Sequence, residues 1–125
     1  MMVLVDTSVW IEHFRYGRSN LAHLLSEGRV LMHPFVSGEL ACGNLKDRAT
    51  ILSRLSALPF ATHASNGEVL HLIEDQRLWG GGLGWVDTHL LASALLSNCR
   101  FWTIDARLAK ATAKLGLSWM GARSC

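Results

Sequence analysis

Two kinds of apolar pattern take turns along the chain. Short continuous runs, Met2-Val3-Leu4-Val5 and Phe101-Trp102-Thr103-Ile104, read as buried strands. Between them apolar residues recur three and four apart, the period of a helix packed along one stripe. This alternation predicts an α/β fold with a central parallel β-sheet flanked by α-helices. In order, it gives a strand Met2–Val5, a helix Thr7–Phe14 and a polar loop Arg15–Asn20. A helix through Leu21, Leu24 and Leu25 follows, stopped by Gly28, and then a strand Arg29–His33. Pro34 suits the first turn of a helix running through Phe35, Glu39 and Cys42 to Gly43. An amphipathic helix Asp47–Leu58 and a short strand Pro59–His63 come next. Ser65 and Glu68 have the form of a capping box, opening a helix through Val69, Leu72, Ile73 and Leu78. A flexible glycine loop, Gly80–Gly84, leads to Trp85–Asn98, apolar nearly all round and expected to be a buried helix. A strand Arg100–Ile104, a helix Asp105–Leu115 closed by Gly116, and an edge strand Leu117–Met120 complete the set.

Length and composition narrow this to one domain over residues 1–125. A chain of 125 residues buries enough surface for one core. With half its residues apolar and 18% charged, it holds no disordered block. No basic region or long apolar run precedes Asp6, so no signal peptide is expected. The longest apolar-rich stretch, Leu90–Leu96, is too short to span a bilayer, so no membrane role is expected. Cys42, Cys99 and Cys125 are odd in number and lack ligand spacing, which fits a reducing cytoplasm.

Four acids stand apart from the other six. Asp6 and Asp105 each follow a strand and precede a helix, where a carboxylate either caps the helix or faces a ligand. If their strands are neighbours, both carboxylates meet on one edge of the sheet. Glu39 has Phe35 and Val36 one turn before it and Cys42 one turn after, an apolar setting that is costly without a partner. Asp87 begins the buried helix, where it is either a favourable charge at the positive end or a ligand. Of the rest, Glu68 caps a helix, Asp47 suits a first helical turn, and Glu12, Glu27, Glu74 and Asp75 read as solvated.

Gathered together, four carboxylates repel one another, and a cation relieves that repulsion. An all-oxygen set suits Mg²⁺ or Mn²⁺, while zinc is disfavoured because the six histidines are scattered and paired His/Cys spacings are missing. His89, two residues past Asp87, points away from it on a helix and reads as packing. Charge adds a substrate class. The net charge is only +2, but setting four of the ten acids aside leaves six against twelve bases, nine of them Arg. An acidic hole in a basic surface suits a nucleic acid, with Arg15, Arg18, Lys46, Arg48 and Arg107 as candidate phosphate contacts.

Four stretches also resemble the motifs of one family. Val5-Asp6-Thr7-Ser8-Val9-Trp10-Ile11 is similar to the opening motif of PIN domains, especially the VapC-type ribonuclease toxins of toxin–antitoxin pairs. Val36-Ser37-Gly38-Glu39-Leu40 with Gly43, Gly84–Ala94 around Asp87, and Trp102–Leu108 around Asp105 resemble the second, third and fourth motifs. The likeness spans essentially the whole chain, in order. It implies a PIN-like fold whose Asp6, Glu39, Asp87 and Asp105 hold Mg²⁺ or Mn²⁺, with Ser8 and Thr103 as hydroxyls near the metal. It implies a metal-dependent endoribonuclease, the toxin of a type II pair, cutting structured RNA such as tRNA or rRNA to inhibit translation. It further implies a homodimer silenced by a cognate antitoxin whose C-terminal segment blocks the site.

Rival readings fare less well. A haloacid-dehalogenase-type phosphohydrolase needs a second Asp where Ser8 stands, and a receiver domain needs paired acids near strand one. Gly80–Gly84 fails the dinucleotide fingerprint at Trp85 and lacks the lysine of a P-loop. The remaining alternative is a non-catalytic RNA- or protein-binding PIN-like module.

Overall fold

Strand β1 (Val3–Val5) lies in the middle of a parallel sheet in the computed structural model, which describes residues 1–119 and 121. On one side is β2 (Val30–Leu31), with Val3 opposite Val30 and Leu4 opposite Leu31. On the other is β3 (Arg100–Trp102), with Val3, Leu4 and Val5 opposite Arg100, Phe101 and Trp102. Val3, Leu4 and Val5 are completely buried, which is why all three are apolar rather than alternating.

The two outer strands expected from the pattern shrink to single-residue bridges, Met32 with Phe60 and Phe101 with Ser118. Beyond Phe60 the ladder is diverted. Ala61 still donates to the Met32 carbonyl, but the next amide, of Thr62, donates to the Ser97 hydroxyl instead. Of the expected Leu117–Met120 strand, the Leu117 carbonyl accepts from the Phe101 amide; Met120 lies outside the described residues.

Seven helices are present among the described residues: α1 (Thr7–Tyr16), α2 (Ser19–Ser26), α3 (Pro34–Cys42), α4 (Arg48–Ser56), α5 (Asn66–Gln76), α6 (Trp85–Leu96) and α7 (Ala106–Lys114). The polar loop expected over Arg15–Asn20 is thereby reduced to Gly17 and Arg18. Helix α1 runs on to Tyr16 and ends because Gly17 takes φ +76°, a conformation open to glycine. Arg18 then pairs with Glu12 at 2.7 Å and lies over the Trp102 ring at 5.9 Å, so it ties α1 to the sheet.

Helix α6 is buried without a break from Thr88 to Ala94, as its all-round apolar character requires. It packs against β3 and α5. Helix α5 opens with the expected capping box, Ser65 Oγ accepting from the Glu68 amide and Glu68 Oε1 from the Ser65 amide. Helix α3 is capped by a histidine: Nδ1 of buried His33 accepts from the Phe35 amide at 3.0 Å. No helix among the described residues is long and apolar enough to cross a membrane.

Candidate active site

The ladder between β1 and β3 carries on one residue further, and that residue is the acid: the Asp6 amide donates to the Trp102 carbonyl at 2.9 Å. This hydrogen bond fixes Asp6 beside Thr103, the residue that follows β3. The Asp6 side chain is buried at 7% exposure, although it carries a charge. Its Oδ2 accepts from Ser8 Oγ at 2.6 Å and from Thr103 Oγ1 at 2.8 Å. The two hydroxyls are themselves 3.3 Å apart, so Ser8 and Thr103 form a clip around one carboxylate oxygen. Asp6 occupies the cap position of α1 but makes no side-chain capping hydrogen bond. The capping reading therefore fails for Asp6.

It holds for Asp105. There Oδ1 accepts from the amides of Arg107 and Leu108 at 2.9 and 3.2 Å, a regular helix cap. The Asp105 amide in turn donates to Thr103 Oγ1, so one threonine hydroxyl touches both strand-end aspartates. Asp87, in the first turn of α6, accepts from the Gly84 amide through Oδ2 at 2.8 Å. Partial burial pushes the Asp87 carboxyl above its ordinary value, and the negative charges of Asp6 and Asp105 push it the same way, against the pull of the Gly84 amide. Three aspartates from two strand ends and a helix start thus share one electrostatic neighbourhood.

Glu39 stands slightly apart. It is exposed, not enclosed in an apolar stripe, because Val36 and Leu40 take the buried face of α3 while Phe35 and Cys42 are themselves exposed. Its link to the site runs through Thr7, whose Oγ1 donates to Glu39 Oε1 at 2.7 Å. Thr7 was not singled out in the sequence; its place between Asp6 and Ser8 was the available signal. His89 is buried between Phe35 and Trp85, with ring centroids at 5.0 and 4.7 Å, in keeping with a packing role. Among the bases expected to contact phosphate, Arg18 is engaged with Glu12 and Trp102, and Arg48 donates to the Ala41 carbonyl.

The donor set fits a hard divalent cation. Each of the three aspartates gives one oxygen to the protein, and among the described residues no hydrogen-bond donor reaches the other oxygen. No Lys or Arg among them pairs with any of the three. The carboxylates are not drawn into a closed cage: among the described residues no three His, Cys, Asp or Glu side chains converge at ligating distance. Mg²⁺ tolerates such an open arrangement, since it keeps several waters and takes only one or two carboxylates directly.

A parallel sheet with a buried aspartate at the end of one strand and an exposed one at the end of its neighbour, joined by a half-buried aspartate at a helix start, defines an α/β protein with an acidic edge. The chain belongs to the PIN-domain family: residues 3–114 match the family described as PIN domain. Ribonuclease VapC32 of Mycobacterium tuberculosis, from each of two strains, is 47% identical to it over 121 residues, covering 94% of this chain and 95% of that protein.

Proposed function

We propose that this protein is a divalent-metal-dependent endoribonuclease, the toxin of a type II toxin–antitoxin pair, acting on structured RNA such as tRNA or rRNA in the cytoplasm. The observation that carries the reading is the trio Asp6, Asp87 and Asp105, each with one oxygen held by the fold and one left for a ligand. The match to the PIN family and the likeness to Ribonuclease VapC32 support it. Ribonucleases of this family depend in general on divalent metals; Mg²⁺ or Mn²⁺ suits an all-carboxylate set here.

A bound cation supplies Lewis acidity to the phosphodiester and makes a water more acidic. The chain's own groups do the rest. Ser8 and Thr103 hold Asp6 in one rotamer, so that its free oxygen is aimed before any ligand arrives. The cap at the start of α7 does the same for Asp105. Asp87 is the better candidate for general base, because burial and its two acidic neighbours raise its affinity for a proton. Glu39, held by Thr7, completes the set from the α3 side and can orient a water or a ligand from there.

Two protein partners belong to this reading. An apolar groove of about 430 Å³ runs past Ile11, Phe14, Leu45 and Ile51, with Arg15, Lys46 and Glu39 also lining it. An antitoxin segment lying there covers Glu39 and blocks the approach to the aspartates. For the homodimer the reading uses the faces of α5 and α6, where Leu70, Leu95 and Leu96 are exposed. A concentration-independent monomer in sedimentation equilibrium overturns the dimer.

The test of the function is direct. Purified protein is expected to cut tRNA or rRNA with Mg²⁺ or Mn²⁺ present, and to stop when EDTA or the cognate antitoxin is added. RNA binding that survives EDTA, with no cleavage under any metal, overturns the enzyme and favours a non-catalytic binding module.

A further inference from the structure

Helix α7 carries more than the cap that holds Asp105. Arg107, Lys110 and Lys114 are three and four residues apart and so lie along one face of it. That face forms one wall of a cavity of about 450 Å³. The opposite wall is the chain leaving α5, with Arg77 and Trp79. The two walls are tied together where the Lys114 ammonium donates to the Gln76 carbonyl. At the near end the glycine loop is shaped around Arg107: Gly82 has φ +84°, and a Cβ there would meet Arg107 Cδ at 2.7 Å. Among the described residues, none of these four bases pairs with a carboxylate.

Trp79 is the odd member of the groove. Trp10 and Trp102 are buried and Trp85 is 44% exposed, but Trp79 is 59% exposed, while Leu78 beside it anchors the chain in the core. An indole left mostly exposed at the rim of a cationic groove contributes less packing to the fold than a buried one. It does offer a flat face for another ring. The groove also starts at the site: the Arg107 amide bonds Asp105 Oδ1 at 2.9 Å, and Lys114 lies about 10 Å further along α7.

We infer that this groove is a track for single-stranded RNA next to the phosphate to be cut, with Arg107, Lys110 and Arg77 on backbone phosphates and Trp79 stacked on an unpaired base. The inference rests on the endoribonuclease reading and adds to it a requirement for unpaired substrate on the α7 side. RNA is favoured over an acidic peptide because every nucleotide brings both a phosphate and a ring, whereas a peptide offers a ring only where it carries an aromatic side chain.

The test is fluorescence anisotropy with a labelled ten-nucleotide single-stranded RNA of mixed sequence, the full chain, and EDTA to prevent cleavage, between 50 and 200 mM KCl. The double variant Arg107→Gln/Lys110→Gln is expected to flatten the plot of log affinity against log salt by about 1.4, two contacts at about 0.7 each. Trp79→Ala is expected to weaken binding roughly tenfold with little change of slope, and Trp79→Phe to restore most of it. Duplex RNA of the same sequence is expected to be indifferent to Trp79. An unchanged slope in the double variant, or a duplex as sensitive to Trp79→Ala as the single strand, overturns the track. So does a labelled octaglutamate that binds more tightly than the RNA and is lost with the same variants. Failure of the track is separable from failure of the enzyme. If Asp6→Asn abolishes cleavage while the groove variants bind as wild type, the track falls and the ribonuclease stands. If the wild type cuts nothing but the groove variants bind RNA as forecast, the track stands alone.

Discussion

Asp6→Asn is expected to lower Mg²⁺-dependent RNA cleavage by about a thousandfold while leaving the protein folded. The substitution is close to isosteric. The asparagine oxygen can still accept from Ser8 Oγ and Thr103 Oγ1, so the clip that orients residue 6 survives. What changes is the second position, where a free carboxylate oxygen becomes an amide that ligates a hard cation poorly or, if turned inward, disturbs the clip. The lost charge is one of three that lie close together at this edge. Loss of several kcal/mol of charge stabilisation in the transition state corresponds to about three powers of ten in rate. The measurement is the initial rate of cleavage at saturating Mg²⁺, beside a thermal melt to show that the variant is native. Cleavage within tenfold of wild type by a folded variant removes Asp6 from the reaction.

A second large effect concerns stability, and it comes from a residue far from the acids in sequence logic. His33 is buried, and burial first, then the proximity of His63 and His89, pushes its imidazole down to about 4 from 6.5. Its Nδ1 accepts from the Phe35 amide, a bond that only an unprotonated nitrogen can make. Between pH 6.5 and 4 the unfolded chain therefore binds a proton that the folded protein refuses. Stability conferred by neutral His33 is complete above pH 6.5 and is lost as pH falls toward 4, about 3 kcal/mol in all. Urea denaturation at pH 7 and pH 4.5 should show the loss. His33→Asn, which keeps a capping oxygen and removes the titration, should lose less by roughly 2.5 kcal/mol over the same interval. Equal losses in the two proteins would show that His33 is not the acid-sensitive group.

The parts of the fold that could be read from the chain were those where one local rule dominates. Continuous apolar runs marked β1 and β3, the capping box marked the start of α5, and the all-round apolar stretch marked α6. The parts that could not be read depended on distant partners. Pro59–His63 looks like a strand, but only Phe60 bridges to Met32, because Ser97 from another element takes the amide of Thr62. Ser19 and Asn20 look like loop, since polar residues on the outer face of α2 are silent about helix start. The site divides in the same way. The strand-end positions of Asp6 and Asp105 were evident, but their roles as clipped carboxylate and helix cap were not, since these depend on which hydroxyls and amides come near. Glu39 was singled out for a burial it does not have; of the apolar residues one turn away, Val36 is buried, but Phe35 and Cys42 lie exposed as Glu39 does. Trp79 and the lysines of α7 were passed over because no short motif joins them; only the approach of α5 and α7 does.

The hydroxyl clip on Asp6 has a consequence for timing. Its two halves, Ser8 and Thr103, are 95 residues apart, and the strand that leads to Asp6 is completed only when β3 docks beside it. Pairing of such distant segments is slow to form and cannot be anticipated locally. A nascent chain therefore has no assembled acidic edge until residue 108 has been made, since that amide is the last to hold Asp105. A ribonuclease built on this topology is without its acidic edge for most of the time that the ribosome is making it.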